Sequence, residues 1–140
     1  MSCYVLDSFT IIAWYRREEG ELRVQRLLED QEHECWMTVI NLGEIYYRAA
    51  KEANIQIARE VLALVEQLPI EFVEASRILA LAAADIKAQY ALSYADCFAA
   101  ALALQLDAAV VTGDPEFEQL ERAGVISIEW LPHRGKRRSR

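Results

Sequence analysis

Four carboxylates stand at points of the chain from which they could meet in one site. Asp7 and Asp114 each follow a short apolar run, and each run predicts a strand that ends at the carboxylate. Glu44 and Asp96 lie on predicted helices, and the helix of Asp96 is otherwise almost wholly apolar. Because the carboxyl ends of parallel strands face one crevice of an α/β sheet, we expect the four side chains to converge there.

Few ligands and few reactions suit such a group of acids. Four acids in one crevice repel one another strongly unless a cation lies among them. Ligation by oxygen alone suits Mg²⁺ or Mn²⁺, and a site of this kind most often serves phosphoryl transfer. We therefore take Asp7, Glu44, Asp96 and Asp114 as the candidate catalytic and metal-binding residues.

Each carboxylate also has a purely structural interpretation. Asp7 and Asp114 are suited to capping the helices that follow them, and Asp96 could complete a capping box with the serine three residues earlier. Glu44 has Arg48 four residues on, the spacing of a helical ion pair. These structural roles do not explain all four carboxylates as well as a metal site does, because a charge in the apolar surroundings of Asp96 is costly unless it is paired or binds a metal.

Apolar patterning predicts strands that alternate with helices. The predicted strands are 3–6, 35–38, 70–73, 109–112 and 127–130, and the predicted helices are 8–16, 21–30, 39–52, 54–67, 75–90, 93–106 and 115–123. This alternation is typical of an α/β protein with a parallel sheet of about five short strands and helices on both faces. Helix dominates between 54 and 90, which predicts an inserted or capping layer in the middle of the chain.

The composition indicates one soluble domain. The chain has 140 residues, of which 54% are hydrophobic, and its most apolar stretch, 97–106, is too short to cross a bilayer. No leader opens the chain, so we expect a cytoplasmic protein with no membrane partner. The three cysteines and two histidines have neither zinc-ligand spacing nor the arrangement of a nucleophile and its base, and we expect buried thiols and surface imidazoles.

Charge divides the chain into two parts. Residues 134–140 hold five of the 15 basic residues and no acid, which leaves 10 basic against 22 acidic residues in the rest. An acidic body of this kind is unusual for a general nucleic-acid binder. We expect residues 1–132 to form the domain and 133–140 to be a flexible basic tail, which either binds nucleic-acid phosphates or only keeps the protein soluble.

Four sequence blocks resemble those of PIN domains, and most closely those of the VapC-type toxins of bacterial toxin–antitoxin pairs. The blocks, in order, are Val5-Leu6-Asp7-Ser8, Asn41-Leu42-Gly43-Glu44, Ser93-Tyr94-Ala95-Asp96-Cys97-Phe98 and Thr112-Gly113-Asp114-Pro115-Glu116-Phe117. The resemblance extends from residue 3 to about residue 130. It implies a PIN-like three-layer α/β/α fold and a Mg²⁺- or Mn²⁺-dependent endoribonuclease, usually dimeric and held inactive by a cognate antitoxin.

The resemblance also assigns roles to single residues. It implies that Asp7 and Asp96 are the principal metal ligands and that Asp114 completes the ligand set or holds a metal-bound water. Glu44 would orient the attacking water or bind a second ion.

Three polar residues are candidates for a supporting role. Ser8 and Thr112 match family positions near the site, from which they could hydrogen-bond the carboxylates or the phosphate. Asn41 shares a helix face with Glu44.

Other interpretations differ in class. A non-catalytic PIN-like module that binds RNA or protein remains the main alternative, although loss of one of the four acids would have favoured it and none is lost. A phosphoacceptor receiver domain needs an adjacent acidic pair after the first strand, where this chain has Asp7 and Ser8. A flap nuclease normally requires a larger chain.

The chain has more large apolar side chains than are required to cover one small sheet, and the excess predicts surfaces that bind partners. The aromatic cluster of Trp14, Tyr15, Tyr46 and Tyr47 and the Ala- and Leu-rich helices predict a homodimer. They also predict an antitoxin segment near the first helices that places a basic residue beside the acids.

Overall fold

A computed structural model describes residues 2–132. Within this range the chain forms five strands, seven α-helices and a single 3-10 turn at Pro115–Phe117. The strands are β1 (Ser2–Leu6), β2 (His33–Thr38), β3 (Glu71–Val73), β4 (Ala109–Thr112) and β5 (Ile128–Trp130). The helices are α1 (Ser8–Tyr15), α2 (Glu21–Glu29), α3 (Val39–Glu52), α4 (Ile55–Val65), α5 (Arg77–Gln89), α6 (Tyr94–Leu106) and α7 (Glu118–Arg122). The predicted tail, 133–140, lies outside the described residues.

The five strands make one parallel sheet in the order β3-β2-β1-β4-β5. The chain adds strands on one side of β1 as far as β3, then returns to add β4 and β5 on the other side. The strand order therefore reverses between β1 and β4, where Leu6 is in register with Val111. Such a switch point opens a crevice at the carboxyl ends of the strands, and Asp7 and Asp114 both lie at this one.

Helices cover both faces of the sheet, as the patterning predicts. One core contains side chains of α1 to α4 with Leu6, Met37 and Val111, and the other contains side chains of α5 to α7 with Val5 and Val110. Neighbouring positions of β1 and β4 thus enter opposite cores, since successive side chains of a strand alternate between faces. The fold is the three-layer α/β/α arrangement that the sequence predicts.

The prediction of an inserted layer between 54 and 90 is wrong. Val65 of α4 and Ala83 of α5 are fully buried in different cores, so these helices lie on opposite faces of the sheet. β3 separates them and forms an edge of the sheet. The middle of the chain therefore supplies one strand and part of each outer layer.

Side-chain caps fix the first residues of several helices. Thr38 accepts a hydrogen bond from the backbone N–H of Asn41 at the start of α3, and Asn54 accepts one from Ile57 at the start of α4. These bonds satisfy N–H groups that have no partner inside the helix. The caps fix where α3 begins relative to β2, and with it the position of Glu44.

The cysteines and histidines depart from expectation in two places. All three thiols are free, but only Cys35 and Cys97 are buried, and Cys3 is half-buried at the amino end of β1. Burial raises the pKa of both Cys35 and Cys97 to about 11, which leaves them protonated at neutral pH. His33 is partly buried and packs edge-on against Tyr4 instead of lying free on the surface.

None of the helices described within 2–132 has both the length and the hydropathy that crossing a bilayer requires.

Candidate metal centre at the carboxyl edge of the sheet

Asp7 lies in the short link between β1 and α1, where it is almost completely buried. Its Oδ1 accepts a 3.0 Å hydrogen bond from the backbone N–H of Thr10, so it caps α1 as its structural interpretation predicts. Its Oδ2 accepts a 2.6 Å hydrogen bond from the Thr112 hydroxyl. Burial raises the pKa of Asp7 to about 7, although the bonds from Thr112 and Thr10 oppose this effect and the charge of Asp114 adds to it.

Asp114 follows β4 and faces the same crevice. Its backbone N–H donates to the Thr112 hydroxyl at 3.0 Å, and its Oδ1 accepts from the N–H of Glu116 at 3.0 Å. The preceding Gly113 lets β4 and α1 approach closely, because a Cβ at this position would lie 2.5 Å from the ring of Phe9. Asp114 is thus both a helix cap and a member of the acidic site.

Asp96 lies in the first turn of α6, and 6% of its surface is exposed. Its backbone N–H donates to Ser93 Oγ at 3.2 Å, which fixes the start of the helix. Burial is the main cause that raises the pKa of Asp96 to about 9, followed by the charges of Asp7, Asp114 and Glu44. Its carboxyl group also shares a hydrogen bond with that of Asp114, which stabilises the protonated form of Asp96.

Glu44 reaches the site from α3 and is half-buried. Its Oε1 accepts a 2.7 Å hydrogen bond from the Ser8 hydroxyl, which joins α3 to α1. Among residues 2–132, Arg48 makes no ion pair with Glu44, so the helical pair considered from the sequence is not formed. The charge of Glu44 is near enough to the other acids to contribute to the raised pKa of Asp96.

Asn41 is fully buried and connects α3 to α6. Its Oδ1 accepts from the Thr38 hydroxyl at 2.6 Å, and its Nδ2 donates to the Ala95 carbonyl at 3.2 Å. Ala95 directly precedes Asp96. Asn41 therefore positions the residue that carries the most strongly perturbed carboxyl group of the site.

Carboxylate oxygens of Asp96, Asp114 and Glu116 all lie within 4.8 Å of one another. Ligands at the 2.0–2.1 Å that Mg²⁺ requires stand at most about 4.2 Å apart across the ion, so this trio needs little adjustment to bind one. Asp7 and Glu44 lie outside the trio but close enough for their charges to act on Asp96.

The sequence prediction did not include two of the residues at this site. Glu116 is exposed, and the 3-10 turn after Asp114 brings it back to the crevice. The spacing Asp-x-Glu at the end of a predicted strand could have identified Glu116 from the sequence. Thr10 donates its backbone N–H to Asp7, and its hydroxyl lies 2.5 Å from the carbonyl oxygen of Val111, so it also links α1 to β4. A threonine three residues after a capping aspartate was the signal for it.

In a parallel α/β/α sandwich the crevice at the switch point is the usual place for a ligand, and in this chain acids line it. The sequence profile of the PIN domain family matches residues 4–123. The chain belongs to the PIN-domain family, and its PIN-like fold is the one that the sequence resemblance implies.

Solved structures of toxin–antitoxin proteins share this fold. VapBC2 of Rickettsia felis, bound to a promoter DNA fragment, superposes with a TM-score of 0.72 at 14% identity over 93% of this chain and 99% of that chain. VapC20 of Mycobacterium tuberculosis, a Sarcin-Ricin loop cleaving toxin, superposes with a TM-score of 0.71 at 16% identity, over 94% of this chain and 100% of that chain. DNA-bound VapBC of Salmonella typhimurium superposes with a TM-score of 0.69 at 24% identity, over 92% of this chain and 98% of that chain. No curated protein sequence matches the chain.

Proposed function

We propose that the protein is a Mg²⁺- or Mn²⁺-dependent endoribonuclease and the toxin of a type II toxin–antitoxin pair. The observation that carries the proposal is the convergence of Asp7, Asp96, Asp114 and Glu116 at one crevice, with Glu44 beside them. Asp7 and Asp96 are buried there without a cationic side chain as partner among the described residues. A divalent cation would supply the charge that buried carboxylates need.

The donor set fits Mg²⁺ or Mn²⁺, since it consists of carboxylate oxygens. Asp96, Asp114 and Glu116 would hold the ion, and Asp7 would add a buried negative charge beside them. When bound, the ion supplies Lewis-acid activation of water and neutralises charge on the phosphate.

The other polar residues have roles that follow from their contacts. Ser8 holds Glu44 Oε1, which leaves Oε2 to accept a proton from an attacking water. Thr112 and Thr10 hold the two oxygens of Asp7 and so fix the orientation of that carboxylate. Asn41 holds the start of α6 through Ala95.

RNA is the proposed substrate because of the fold and because of what one similar protein does. VapC20 shares the fold over 94% of this chain and is described as a Sarcin-Ricin loop cleaving toxin. The likeness, at 16% identity, is one of fold, and the substrate class is proposed on that basis. Sequencing of RNA ends after brief induction of the protein would identify the cleaved molecule.

A cognate antitoxin is the proposed partner, because the similar VapBC structures are complexes of this kind. A groove of about 230 Å³ between α1, α2 and α4 would receive an apolar segment of it. The residues that line the groove are Trp14, Tyr15, Arg17, Glu21, Gln25 and Leu64. Of the predicted aromatic cluster, Tyr47 is 53% exposed, whereas Trp14, Tyr15 and Tyr46 are half-buried against the core.

A homodimer is also proposed, and its interface would use residues other than those of the aromatic cluster. Ile78 and Leu81 stand one turn apart on α5 and are 73% and 58% exposed. Large apolar side chains grouped in this way mark partner surfaces. We expect light scattering to show a dimer at about 50 µM, a concentration suited to micromolar association. We expect Ile78→Glu with Leu81→Glu to give a monomer and Leu104→Glu, on the exposed face of α6, to leave the dimer intact.

The decisive experiment measures cleavage of a defined RNA by the purified protein with Mg²⁺ or Mn²⁺ and with EDTA. We expect cleavage only with a divalent ion, and none by Asp7→Asn or Asp96→Asn. Asp85→Asn is the matched control, because it makes the same change at an exposed position of α5. Cleavage in EDTA, or by either site variant at the wild-type rate, would contradict the proposal. RNA binding without any cleavage would favour the non-catalytic PIN-like module.

A further inference from the structure

The three carboxylates that would hold the ion come from two separate segments of the chain. Asp96 lies in the first turn of α6, whereas Asp114 and Glu116 belong to the turn after β4. Asp114 is placed by the sheet, because its backbone N–H donates to the hydroxyl of Thr112 at the end of β4. Glu116 is exposed and lies two residues further along the turn. Its distance from Asp96 therefore depends on contacts between the turn and the start of α6.

Gln119 makes these contacts with its side-chain amide. It lies on α7 and is half-buried. Its Nε2 donates to the carbonyl of Glu116 at 3.1 Å and to the carbonyl of Ala91 at 3.2 Å. Its Oε1 accepts from the backbone N–H of Ala91 at 3.2 Å. Both donors and the acceptor of the amide are thus engaged, and one side chain joins the turn of Glu116 to the backbone of Ala91.

Ala91 belongs to the short link that leads to Asp96. The link consists of residues 90–93, between the end of α5 and the start of α6. Ser93 is the last residue of the link, and its Oγ accepts from the backbone N–H of Asp96 at 3.2 Å. The bonds of Gln119 therefore connect the backbone on the Glu116 side of the site to the backbone on the Asp96 side.

A neutral side chain suits this connection. The ionised carboxylates of Asp96, Asp114 and Glu116 repel one another and favour separation of the two segments when no cation lies among them. A lysine or arginine at position 119 would bring a positive charge to the acids and compete with a metal ion. Glutamine joins the segments by hydrogen bonds alone, which leaves the charge of the acids to the ion.

We propose that Gln119 is a positioning residue that sets the distance between Glu116 and Asp96 and thereby the affinity of the site for a divalent cation. The proposal rests on the metal dependence of the proposed function, and it adds a residue that regulates the binding of the ion without contacting it. Gln119 acts through the backbone of Glu116 and takes no part in the chemical step.

The test replaces Gln119 with methionine, which has a similar length and forms none of the three hydrogen bonds. We expect Mn²⁺ affinity, measured by isothermal titration, to fall about fivefold, because outer partners of metal ligands usually change affinity by such factors. Urea unfolding in EDTA measures the stability of the same variant without the ion. A loss of stability with no loss of Mn²⁺ affinity would show that Gln119 only stabilises the fold, and it would overturn the proposal.

Two control variants carry the same change to methionine elsewhere. Gln56→Met removes an exposed glutamine of α4 that donates to Glu60 at 3.1 Å, and it should leave Mn²⁺ affinity unchanged. Lys87→Met removes the 2.7 Å bond from α5 to the carbonyl of Leu92, in the same link, but leaves the bonds of Gln119 in place. We expect it to lower stability in EDTA and to keep Mn²⁺ affinity within about twofold of wild type, because contacts that are not shared act independently. An equal loss of affinity in Lys87→Met and Gln119→Met would overturn the proposal, since any disturbance of the link would then have the same effect.

A double-mutant cycle tests whether Gln119 acts through Glu116. In a Glu116→Gln background the carboxylate that Gln119 positions is no longer a charged ligand. We expect Gln119→Met to lower Mn²⁺ affinity there by at most about twofold, because two residues that serve one interaction are not additive. The full fivefold loss in this background would overturn the assigned route.

Metal binding and RNA cleavage are measured on the same wild-type protein, which separates this proposal from the proposed function. If the wild type binds Mn²⁺ but cleaves no RNA, the proposed function fails, and the Mn²⁺ affinity of Gln119→Met still decides the role of Gln119. If the wild type cleaves RNA and Gln119→Met binds Mn²⁺ equally well, only the role of Gln119 fails. A wild type that binds no Mn²⁺ would overturn both.

Discussion

The hydroxyl of Thr112, at the end of β4, donates a 2.6 Å hydrogen bond to Asp7 Oδ2, at the end of β1. The two residues are 105 positions apart in the chain and lie at the carboxyl ends of adjacent strands, at the switch point of the sheet. Thr112 also accepts from the N–H of Asp114. One buried side chain thus fixes two of the carboxylates relative to each other.

Replacing Thr112 with valine should destabilise the protein while keeping its shape. The variant leaves a buried carboxyl oxygen without its donor, which costs about 1–3 kcal/mol of unfolding free energy. Mn²⁺ affinity should fall too, because Asp7 and Asp114 lose their common support. Urea unfolding and isothermal titration measure the two effects. Thr112→Ser, which keeps the hydroxyl, should restore most of both. A valine variant equal to wild type would show that the bond does not position the acids.

The stability of the metal-free protein should decrease as the pH rises from 5 to 8. The folded-state pKa of Asp7 is raised from 3.8 to about 7, so folding favours the protonated carboxyl group. This contribution is fully present below pH 3.8 and is lost as the pH rises through 7. Asp96, whose pKa is also raised, acts in the same direction. Unfolding free energy in EDTA should fall by a few kcal/mol, on the order expected for a shift of this size.

Two controls identify Asp7 as a source of that slope. Asp7→Asn should reduce the dependence, leaving the part due to Asp96, and give a metal-free melting temperature equal to or above that of wild type, because a buried ionisable group is removed. Asp85→Asn should retain the full slope. Saturating Mn²⁺ should raise stability most at pH 8, where the carboxylates are ionised. If the unfolding free energy of the wild-type protein in EDTA does not change with pH, Asp7 and Asp96 do not have the raised pKa values that burial gives them here.

Ser8 and Glu44 should act as one unit in cleavage. If Glu44 accepts a proton from water, Glu44→Gln should lower the single-turnover rate by about 10²–10⁴. Ser8→Ala should lower it about tenfold, because the carboxylate loses the bond that orients it. The double variant should be no slower than Glu44→Gln alone, while KM changes little. Additive effects on the rate would show that Ser8 acts on the substrate directly and not through Glu44.

The sequence predicted the parts of the site that depend on local pattern. Asp7 and Asp114 follow from the ends of apolar strands, and the parallel sheet brings those ends together. Asp96 follows from a carboxylate in an apolar helix. The family resemblance implied that Ser8 and Thr112 could hydrogen-bond the carboxylates, and both do, but local pattern did not show which carboxylate each one contacts. Thr112 meets Asp7 because β4 pairs with β1, and local patterning does not show which strands pair when they are distant in the chain.

The error over the middle of the chain has a similar cause. The amphipathic patterns of α4 and α5 show that each helix buries one face, and the structure confirms both helices. An apolar stripe along a helix does not show which side of the sheet that helix covers. That choice depends on the direction in which the chain crosses the sheet, which reverses after β3. Because connections between parallel strands are right-handed, the helices after the reversal cover the other face.

Glu116 should contribute to metal affinity although it is exposed and was not predicted as a site residue. Its carboxylate is in the trio with Asp96 and Asp114, and the 3-10 turn that begins at Pro115 holds it there. Glu116→Gln should weaken Mn²⁺ binding at least about tenfold. Glu118→Gln is the matched control, because Glu118 is also exposed but pairs with Arg122 and lies outside the trio. Isothermal titration gives both affinities, and the rise in melting temperature on adding Mn²⁺ gives an independent measure through linkage. If both variants bind Mn²⁺ as the wild type does, the ion is held by the buried acids alone, and the turn after β4 serves only to start α7.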